Sequence, residues 1–155
     1  MLKENNTAWQ TIECMQDMQE FMEVVGNFHD SCIKEIKYSS GAYVHEGYRM
    51  HAINDKRVLD MILQFQHHNV PALVLEFIGL KELCLRPNND KYTSEILEAS
   101  MFFYGGLIYW CDDAVESVSE ISTFTGTVVC AQRCRWRIIP NCFGQDDFFV
   151  EAEES

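Results

Sequence analysis

The first pattern in the chain has the period of a helix. Between residues 12 and 25, apolar side chains fall on one half of a helical wheel and acidic side chains fall on the other. Asn6 or Thr7 can cap the start of such a helix, and Gly26 suits its end. We therefore predict an amphipathic N-terminal helix with one face on the core. Its apolar positions are Ile12, Cys14, Met15, Met18, Phe21, Met22 and Val25.

Beyond Gly26 the apolar positions alternate with polar ones, which is typical of strands with one buried face. Gly79 interrupts one of these alternations and is predicted to end its strand, so that Leu83 and Leu85 lie in the next one. A weaker pattern pairs residues 42–44 with residues 48–51, and a short helix is predicted within 113–121. The clearest strands are predicted over 32–38, 58–66, 73–77 and 127–139.

A glycine pair, Gly105-Gly106, lies between two apolar runs and predicts a hairpin with a two-residue turn. In that register Tyr104 faces Leu107, and Met101 faces Trp110. Both faces of the hairpin are then apolar, so we expect both to be covered. The first helix is expected on one face, and a second sheet or the returning chain on the other.

These elements predict an α+β domain, in which the N-terminal amphipathic helix packs on a predominantly antiparallel β-sheet or sandwich of about six to eight strands. The chain of 155 residues, 47% of them hydrophobic, is long enough to bury a core without disulfides or a metal. We assign residues 1–139 to this single domain. Residues 140–155 form an acidic C-terminal tail that either belongs to the domain or is flexible.

The sequence predicts neither a membrane segment nor a metal site. No run approaches the roughly 18 apolar residues of a membrane span, and the N-terminus lacks the apolar region of a signal peptide. Seven cysteines without a C-x-x-C pair indicate reduced thiols and therefore a cytoplasmic protein. His67-His68, with His45 or His51, has no carboxylate or cysteine at ligand spacing, so no metal and no cofactor are predicted.

The formal net charge is −12, and it is concentrated at the two ends of the chain. Six acids and one base lie in residues 1–30, and five acids with no base lie in residues 146–155. A basic footprint for nucleic acid or an anionic membrane is lacking, whereas a basic protein is a compatible partner. We take Glu13, Asp17 and Glu20 on the acidic helix face as the candidate contact. The alternative is that the acids serve solubility.

Three arginines, Arg133, Arg135 and Arg137, share one face of the strand predicted over 127–139. We expect them to pair with internal acids, such as Asp112-Asp113 or the C-terminal tail, or with an acidic partner. Without interleaved exposed aromatics they make a poor RNA site. The opposite face of the strand is predicted to hold Val128, Cys130, Cys134, Trp136 and Ile138.

The most pointed polar pair is His29-Asp30, which follows Phe28 at the junction of the helix and a strand. Asp30 could orient His29 as a general base beside a pocket. In the structural interpretation, Asp30 bonds turn amides while His29 caps the helix C-terminus. Adjacent strand residues point to opposite faces, which favours the structural interpretation. No nucleophile or phosphate-binding motif is present, so no catalytic residue is predicted.

The run Phe28-His29-Asp30-Ser31-Cys32-Ile33 resembles the F-H-D-[SA]-x-[IV] segment of small bacterial proteins, some of them immunity proteins of polymorphic toxin systems. The segment from Phe77 to Leu85 is similar to their F-x-G-[LV]-x-x-L-x-L segment. The resemblance covers roughly residues 20–138, whereas the loop at 39–57 and the acidic tail depart from it. It implies a cytoplasmic, non-enzymatic protein that neutralises a toxin by binding it, and it brings no catalytic residues.

Three hypotheses of different classes follow. The first is a non-enzymatic protein-binding module of the immunity-protein kind, with a basic toxin domain as its partner. The second is a small-ligand-binding protein or an enzyme, with a pocket near His29-Asp30. The third is a homodimer that uses exposed aromatics such as Phe148 and Phe149.

Overall fold

The computed structural model describes residues 7–54, 56–67, 69–123 and 126–149, in which an antiparallel sheet is the dominant element. The predicted α+β class is confirmed. None of the helices in the described ranges has the length and apolar character needed to cross a membrane. The helical elements described are α1 (Met15–Val24), a 3-10 turn (Gly26–Phe28) and α2 (Val118–Ile121). The strands are β1 (Gln10–Ile12), β2 (Ser31–Ser39), β3 (Tyr43–Val44), β4 (Met50–His51), β5 (Val58–Phe65), β6 (Ala72–Cys84), β7 (Glu95–Ile96), β8 (Ser100–Tyr104), β9 (Leu107–Cys111) and β10 (Val128–Ile138).

One curled sheet contains most of these strands. In the described part of the chain, seven strands follow the order β7-β2-β5-β6-β10-β9-β8, and β1 adds an eighth by pairing with β10. The sheet curls into a half-barrel. β3 and β4 form a separate hairpin in which Tyr43 lies opposite His51, as the weak pattern at 42–51 predicted.

The main core lies between the sheet and α1. Alternate residues of β5, namely Leu59, Met61 and Leu63, are fully buried in it, because successive strand residues point to opposite faces. Met18 and Phe21 of α1 pack into the same core. Burial of each large apolar side chain contributes about 1.5–3 kcal/mol, so these contacts hold the helix on the sheet.

The N-terminal helix begins later than predicted, because a short strand precedes it. Gln10 pairs with Trp136 across β1 and β10, and this backbone pairing keeps the residues before Cys14 extended. Cys14 takes the N-cap position without a side-chain bond. Of the predicted caps, Thr7 precedes β1, while Asn6 lies outside the described residues.

Gly79 does not end a strand, contrary to the prediction, because β6 continues through it as a bulge. The N–H groups of Gly79 and Leu80 both donate to the carbonyl oxygen of Arg57, at 2.9 and 3.2 Å. Gly79 has φ +69°, which an L side chain rarely adopts, and an added Cβ would collide with Gln132. Leu83 therefore belongs to β6 itself.

The hairpin of β8 and β9 has the predicted register, with Tyr104 opposite Leu107 and Met101 opposite Trp110. Gly105 and Gly106 both have positive φ, 60° and 77°, as a type I′ turn requires. Met101 and Trp110 face the main core. The other face is covered by the segment that contains α2 rather than by a second sheet, and its cluster includes Cys111, Ile121, Val128, Phe102, Tyr109 and Val115.

The strand over 127–139 is present as β10, but its inward face differs from the prediction. Val129 and Ala131 join Cys134 in the main core, so the alternation of β10 changes face between Ala131 and Cys134, where Gln132 lies against Gly79 of β6. The placement of Cys130 with Cys134 was therefore wrong. An irregularity within a strand exchanges the inward and outward faces of the residues on either side of it.

The described part of the C-terminal segment packs against the outer face of the sheet. Phe148 and Phe149 are half-buried on a second cluster that contains Ile62, Val74 and Ile139. Strands β5 and β6 carry apolar residues on both faces, and these two phenylalanines cover part of the outer one. A dimer contact through them stays a prediction.

Candidate functional site

The three predicted contact acids lie on one side of α1 and at its start. Glu13 and Glu20 are exposed, whereas Asp17 is half-buried. The Asp17 carboxylate accepts the N–H of Glu13 at 2.9 Å, and this bond, followed by one from Cys14, lowers the pKa of Asp17. Asp17 thus stabilises the first turn of the helix as an acid near an N-terminus. Glu20 accepts a bond from Gln16 at 3.2 Å.

The Phe28-His29-Asp30 segment joins the 3-10 turn to β2. Phe28 is fully buried and meets Phe21 and Trp110 edge to face, with ring centroids 5.5 and 5.7 Å apart. Phe28 and Asp30 both have positive φ, 63° and 57°, so this stretch is a turn and not a strand. The Oγ of Ser31 donates to the carbonyl of Phe28 at 2.6 Å, which fixes the turn from within.

His29 and Asp30 contact each other, so the prediction that they point to opposite faces was wrong. His29 Nε2 lies 3.2 Å from Asp30 Oδ2. His29 Nδ1 lies 2.8 Å from the carbonyl oxygen of Leu97, which can only accept a hydrogen bond. Nδ1 therefore carries the proton, and the Nε2 contact is an ion pair only in the protonated imidazolium. The His29 side chain is 64% exposed, and it ties two loops together rather than capping α1.

A cleft of about 430 Å³ opens beside Asp30, and its lining does not include His29. The acidic residues Asp30 and Glu95 and the apolar residues Phe65 and Pro71 contribute to its walls. Such a lining suits a ligand with an apolar body and a cationic or hydrogen-bonding group. The full lining is Asp30, Ser31, Cys32, Gln64, Phe65, Gln66, Pro71, Glu95, Cys142, Phe143 and Gly144.

The C-terminal segment forms one wall of this cleft. The Gln64 amide donates to the carbonyl oxygens of Cys142 at 3.3 Å and Gly144 at 3.2 Å. Lys34 Nζ donates to the same Gly144 oxygen at 3.0 Å. Side chains of β2 and β5 therefore hold the wall in place, and the cleft depends on residues that follow the last strand.

A row of charges that sequence analysis missed crosses the outer face of the sheet. Register pairing places Lys37 opposite Asp60, Asp60 opposite Glu76, and Glu76 opposite Arg135. Arg135 Nε lies 2.6 Å from Glu76 Oε1. Burial, together with the hydrogen bond and charge of Glu76, raises the pKa of Asp60 to about 7. The signal was present, because a β5–β6 hairpin centred on residue 68 brings residues 60 and 76 together.

The expected pairing of the arginine stripe with an internal acid is found for Arg135, although the acid is not one of those named as examples. Glu76, not Asp112-Asp113, is the partner of Arg135, and the guanidinium groups of Arg135 and Arg137 lie 4.0 and 5.2 Å from the Trp9 ring centroid. Asp112 instead accepts the Tyr92 hydroxyl and, at 3.1 Å, the N–H of Thr127. Arg135 and Arg137 therefore have structural contacts, with Trp9 stacked on them, whereas Arg133 is exposed.

The remaining candidates for metal binding are the histidines and the cysteine and acidic side chains around them. Among the described residues, no group of three His, Cys, Asp or Glu side chains converges on a site for a metal ion. Of the predicted histidines, His67 accepts the N–H of Asn69 at 3.2 Å and His51 stacks on Tyr43, while His68 lies outside the described residues.

The β3–β4 hairpin and its flanks carry the most exposed apolar side chains. Tyr48 is 92% exposed and Ile53 is 97% exposed, and Tyr43 and Met50 are also exposed. A concentration of exposed aromatic and aliphatic side chains is typical of contact surfaces.

Comparison with known proteins adds no relative: no family model, curated protein or solved structure matches this chain.

Proposed function

We propose that this chain is a non-enzymatic protein-binding module that recognises a basic protein through the exposed carboxylates of α1. The observation that supports the proposal is the absence of compensating charge: residues 7–33 contain five acids and no Lys or Arg. Glu13, Glu20 and Glu23 are exposed along this stretch. The field of such a surface attracts a basic protein and raises its association rate.

The helix also meets the mechanical requirement of a docking element. Met18 and Phe21 are almost fully buried and fix α1 on the sheet, so the carboxylates are presented on a rigid support. Asp17 is committed to the helix start, and we therefore assign the contact to Glu13 and Glu20, with Asp17 supporting them. A rigid surface loses less conformational entropy on binding than a mobile one.

The resemblance of the Phe28-His29-Asp30 segment to immunity proteins supports a toxin domain as the class of partner. We further propose a cytoplasmic location, because all seven cysteines are unpaired, as is usual for proteins in a reducing compartment. In this proposal Phe28, His29 and Asp30 hold the 3-10 turn in place and do not contact the partner.

The test compares two double variants with the same loss of charge. Glu13→Gln with Glu20→Gln removes the proposed contact, and Glu46→Gln with Glu98→Gln removes two exposed acids elsewhere. Each tagged protein is used to capture partners from its own cells at low and moderate salt. We expect a stoichiometric basic protein with the wild type and the control, and about tenfold slower association for the first variant. Equal binding by both variants, or no basic protein, contradicts the proposal.

The cleft beside Asp30 supports a second candidate, a site for a small ligand or substrate. Asp30 and Glu95 would bind an amine or guanidinium group, and Phe65 would contact an apolar body. The test is a thermal-shift screen of amine compounds against the wild type and Asp30→Asn, since Asn tolerates the positive φ of this position. Stabilisation that is lost in Asp30→Asn supports this candidate, and no stabilisation by any compound rejects it.

A further inference from the structure

The outer edge of β8 is unpaired in the described part of the chain. β8 is the last strand of the sheet, and its described partner strand is β9. Tyr104 and Leu107 flank the two-residue turn, so their backbone groups bond each other across the hairpin. The N–H and C=O groups of Met101 and Phe103 therefore point to the outer edge. Ala99 lies two residues before Met101, so its backbone groups point to the same side. Its N–H donates outward to the carbonyl of Asn27 at 2.9 Å.

This edge also lacks the charges that usually protect an exposed strand. Residues 99–111 contain no Asp, Glu, Lys or Arg, although 23% of the chain is charged. Tyr104 is 65% exposed, and Phe102 and Phe103 are half-buried. Natural proteins place Lys, Pro or inward-pointing charges on edges that must stay unpaired. An uncharged, aromatic edge with free backbone groups is a template for another strand.

We propose that β8 pairs antiparallel with β8 of a second copy of this chain, about a twofold axis at Phe102. Met101 of each copy then lies opposite Phe103 of the other, and the two pairs exchange four backbone hydrogen bonds. Phe102 lies opposite its own equivalent, and Ser100 lies opposite Tyr104. The two sheets become one continuous sheet across the dimer.

The properties of β8 favour a second copy of the same strand as its partner. The five residues of β8 are centred on Phe102, so twofold pairing matches every outward backbone donor with an outward acceptor. No charge is buried and no like charges are opposed, because the strand has none. A charged peptide strand would find no counter-charge on this edge.

The affinity of the dimer and the affinity for a basic partner should change in opposite directions as salt is added. Each copy carries a formal charge of −12, so the two copies repel each other and salt screens that repulsion. Dimerisation therefore strengthens as salt is added, whereas binding of a basic protein by α1 weakens. The two contacts lie on different elements, so either proposal can fail without the other.

Cysteine cross-linking tests the register directly. The exposed Cys14 and Cys84 are first replaced by Ser, and Phe102→Cys is compared with Tyr104→Cys, using oxidised glutathione as the oxidant. In the dimer the two Cα atoms at 102 are about 4.5 Å apart, within reach of a disulfide. The two Cα atoms at 104 are four residues out of register, or about 13 Å apart. We expect a covalent dimer from Phe102→Cys and little from Tyr104→Cys.

Sedimentation of the unmodified chain and of two lysine variants supplies the second measurement. Phe102→Lys opposes two like charges at the axis and should raise the dimer dissociation constant by about tenfold or more. Tyr38→Lys, on the opposite edge, should leave it unchanged. Circular dichroism checks that each variant is folded. Equal cross-linking at 102 and 104, or a wild type that is monomeric at low and high salt, overturns the proposal.

Discussion

The two edges of the sheet differ in how they meet the solvent. At the β2 edge, β7 pairs with Ser31 and Cys32, and charged side chains follow along the strand. Glu35 accepts the N–H of Phe148 at 2.9 Å, and Lys37 Nζ lies 5.9 Å from the Phe149 ring centroid. Part of the β2 edge is therefore paired with β7, and the rest carries charged side chains. The C-terminal segment packs against these side chains.

The β8 edge has none of these features. Its hairpin is uncharged from Ala99 to Cys111, and Met101 and Phe103 direct their backbone groups outward. Burial of the sheet faces and protection of the sheet edges are therefore separate requirements. In this chain both faces are covered, but only one edge carries charges that oppose pairing.

The largest loss of stability is expected from a substitution in the main core, on which both edges of the sheet are built. Phe28→Ala removes a fully buried ring from between Phe21 and Trp110 and should lower the free energy of unfolding by about 3–5 kcal/mol. Urea titration measures the change. The matched control is Tyr48→Ala, whose side chain is 92% exposed and should change stability by less than about 0.5 kcal/mol. A small loss for Phe28→Ala would show that the ring is not structural.

The next largest loss of stability is expected when the outer face of the sheet near β2 is uncovered, and it can be compared with a substitution at the β8 edge. Phe148→Ala with Phe149→Ala exposes Ile62 and Val74, and should cost about 2–3 kcal/mol because both rings are only half-buried. Tyr104→Ala at the β8 edge should cost less than about 1 kcal/mol in the monomer. Equal losses in urea titration of these two variants would remove the proposed asymmetry of the monomer.

Asp60, on the outer face of the sheet, should make the free energy of unfolding depend on pH. Its pKa is raised from 3.8 to about 7 by burial and by Glu76, while Lys37 and Arg135 act in the opposite direction. Between these pH values the folded chain keeps a proton that the unfolded chain has lost. The Asp60 contribution to the free energy of unfolding therefore falls as pH rises from about 4 to about 7, by about 2 kcal/mol after allowance for partial exposure.

Asp60→Asn should remove this fall, since an amide can bond Glu76 without titrating. The measurement is urea titration of both proteins between pH 4 and pH 8, in which the difference isolates Asp60 from other carboxylates. Glu46→Gln, an exposed acid, is the matched control and should follow the wild type. Parallel curves for the wild type and Asp60→Asn would contradict the assignment.

The smallest effect concerns one hydrogen bond at the β2 edge. Glu35→Gln keeps the shape of the side chain but removes the charge that accepts the Phe148 N–H, and should cost about 1 kcal/mol. Faster hydrogen exchange of the Phe148 amide, with no change at Met101, is the expected result. Unchanged exchange at Phe148 would mean that this bond does not hold the segment.

Local patterns predicted the elements whose partners are close in sequence. The β5 alternation and the Gly105-Gly106 turn follow from side-chain periodicity and from backbone conformations that only adjacent residues determine. The acidic stretch that carries the proposed contact could also be identified, because it is continuous. The role of Asp17 at the helix start was missed, since the start of α1 depends on β1.

Long-range pairing accounts for most of what the sequence did not predict. β1 has only three residues, and its partner in β10 is more than 120 positions away in the chain. The bulge at Gly79 depends on the carbonyl of Arg57, which immediately precedes β5. The cleft wall at 142–144 depends on Gln64 and Lys34. No periodicity within these segments specifies such partners.

The most direct test of the difference between the two edges is residue-resolved amide exchange as a function of protein concentration. At low concentration the Met101 and Phe103 amides should exchange quickly, while Phe102 and Tyr104, bonded to β9, are protected. At high concentration and moderate salt, we predict that Met101 and Phe103 become protected while exchange along the β2 edge is unchanged. Fast exchange of Met101 and Phe103 at every concentration, or new protection along β2 instead, would contradict the account.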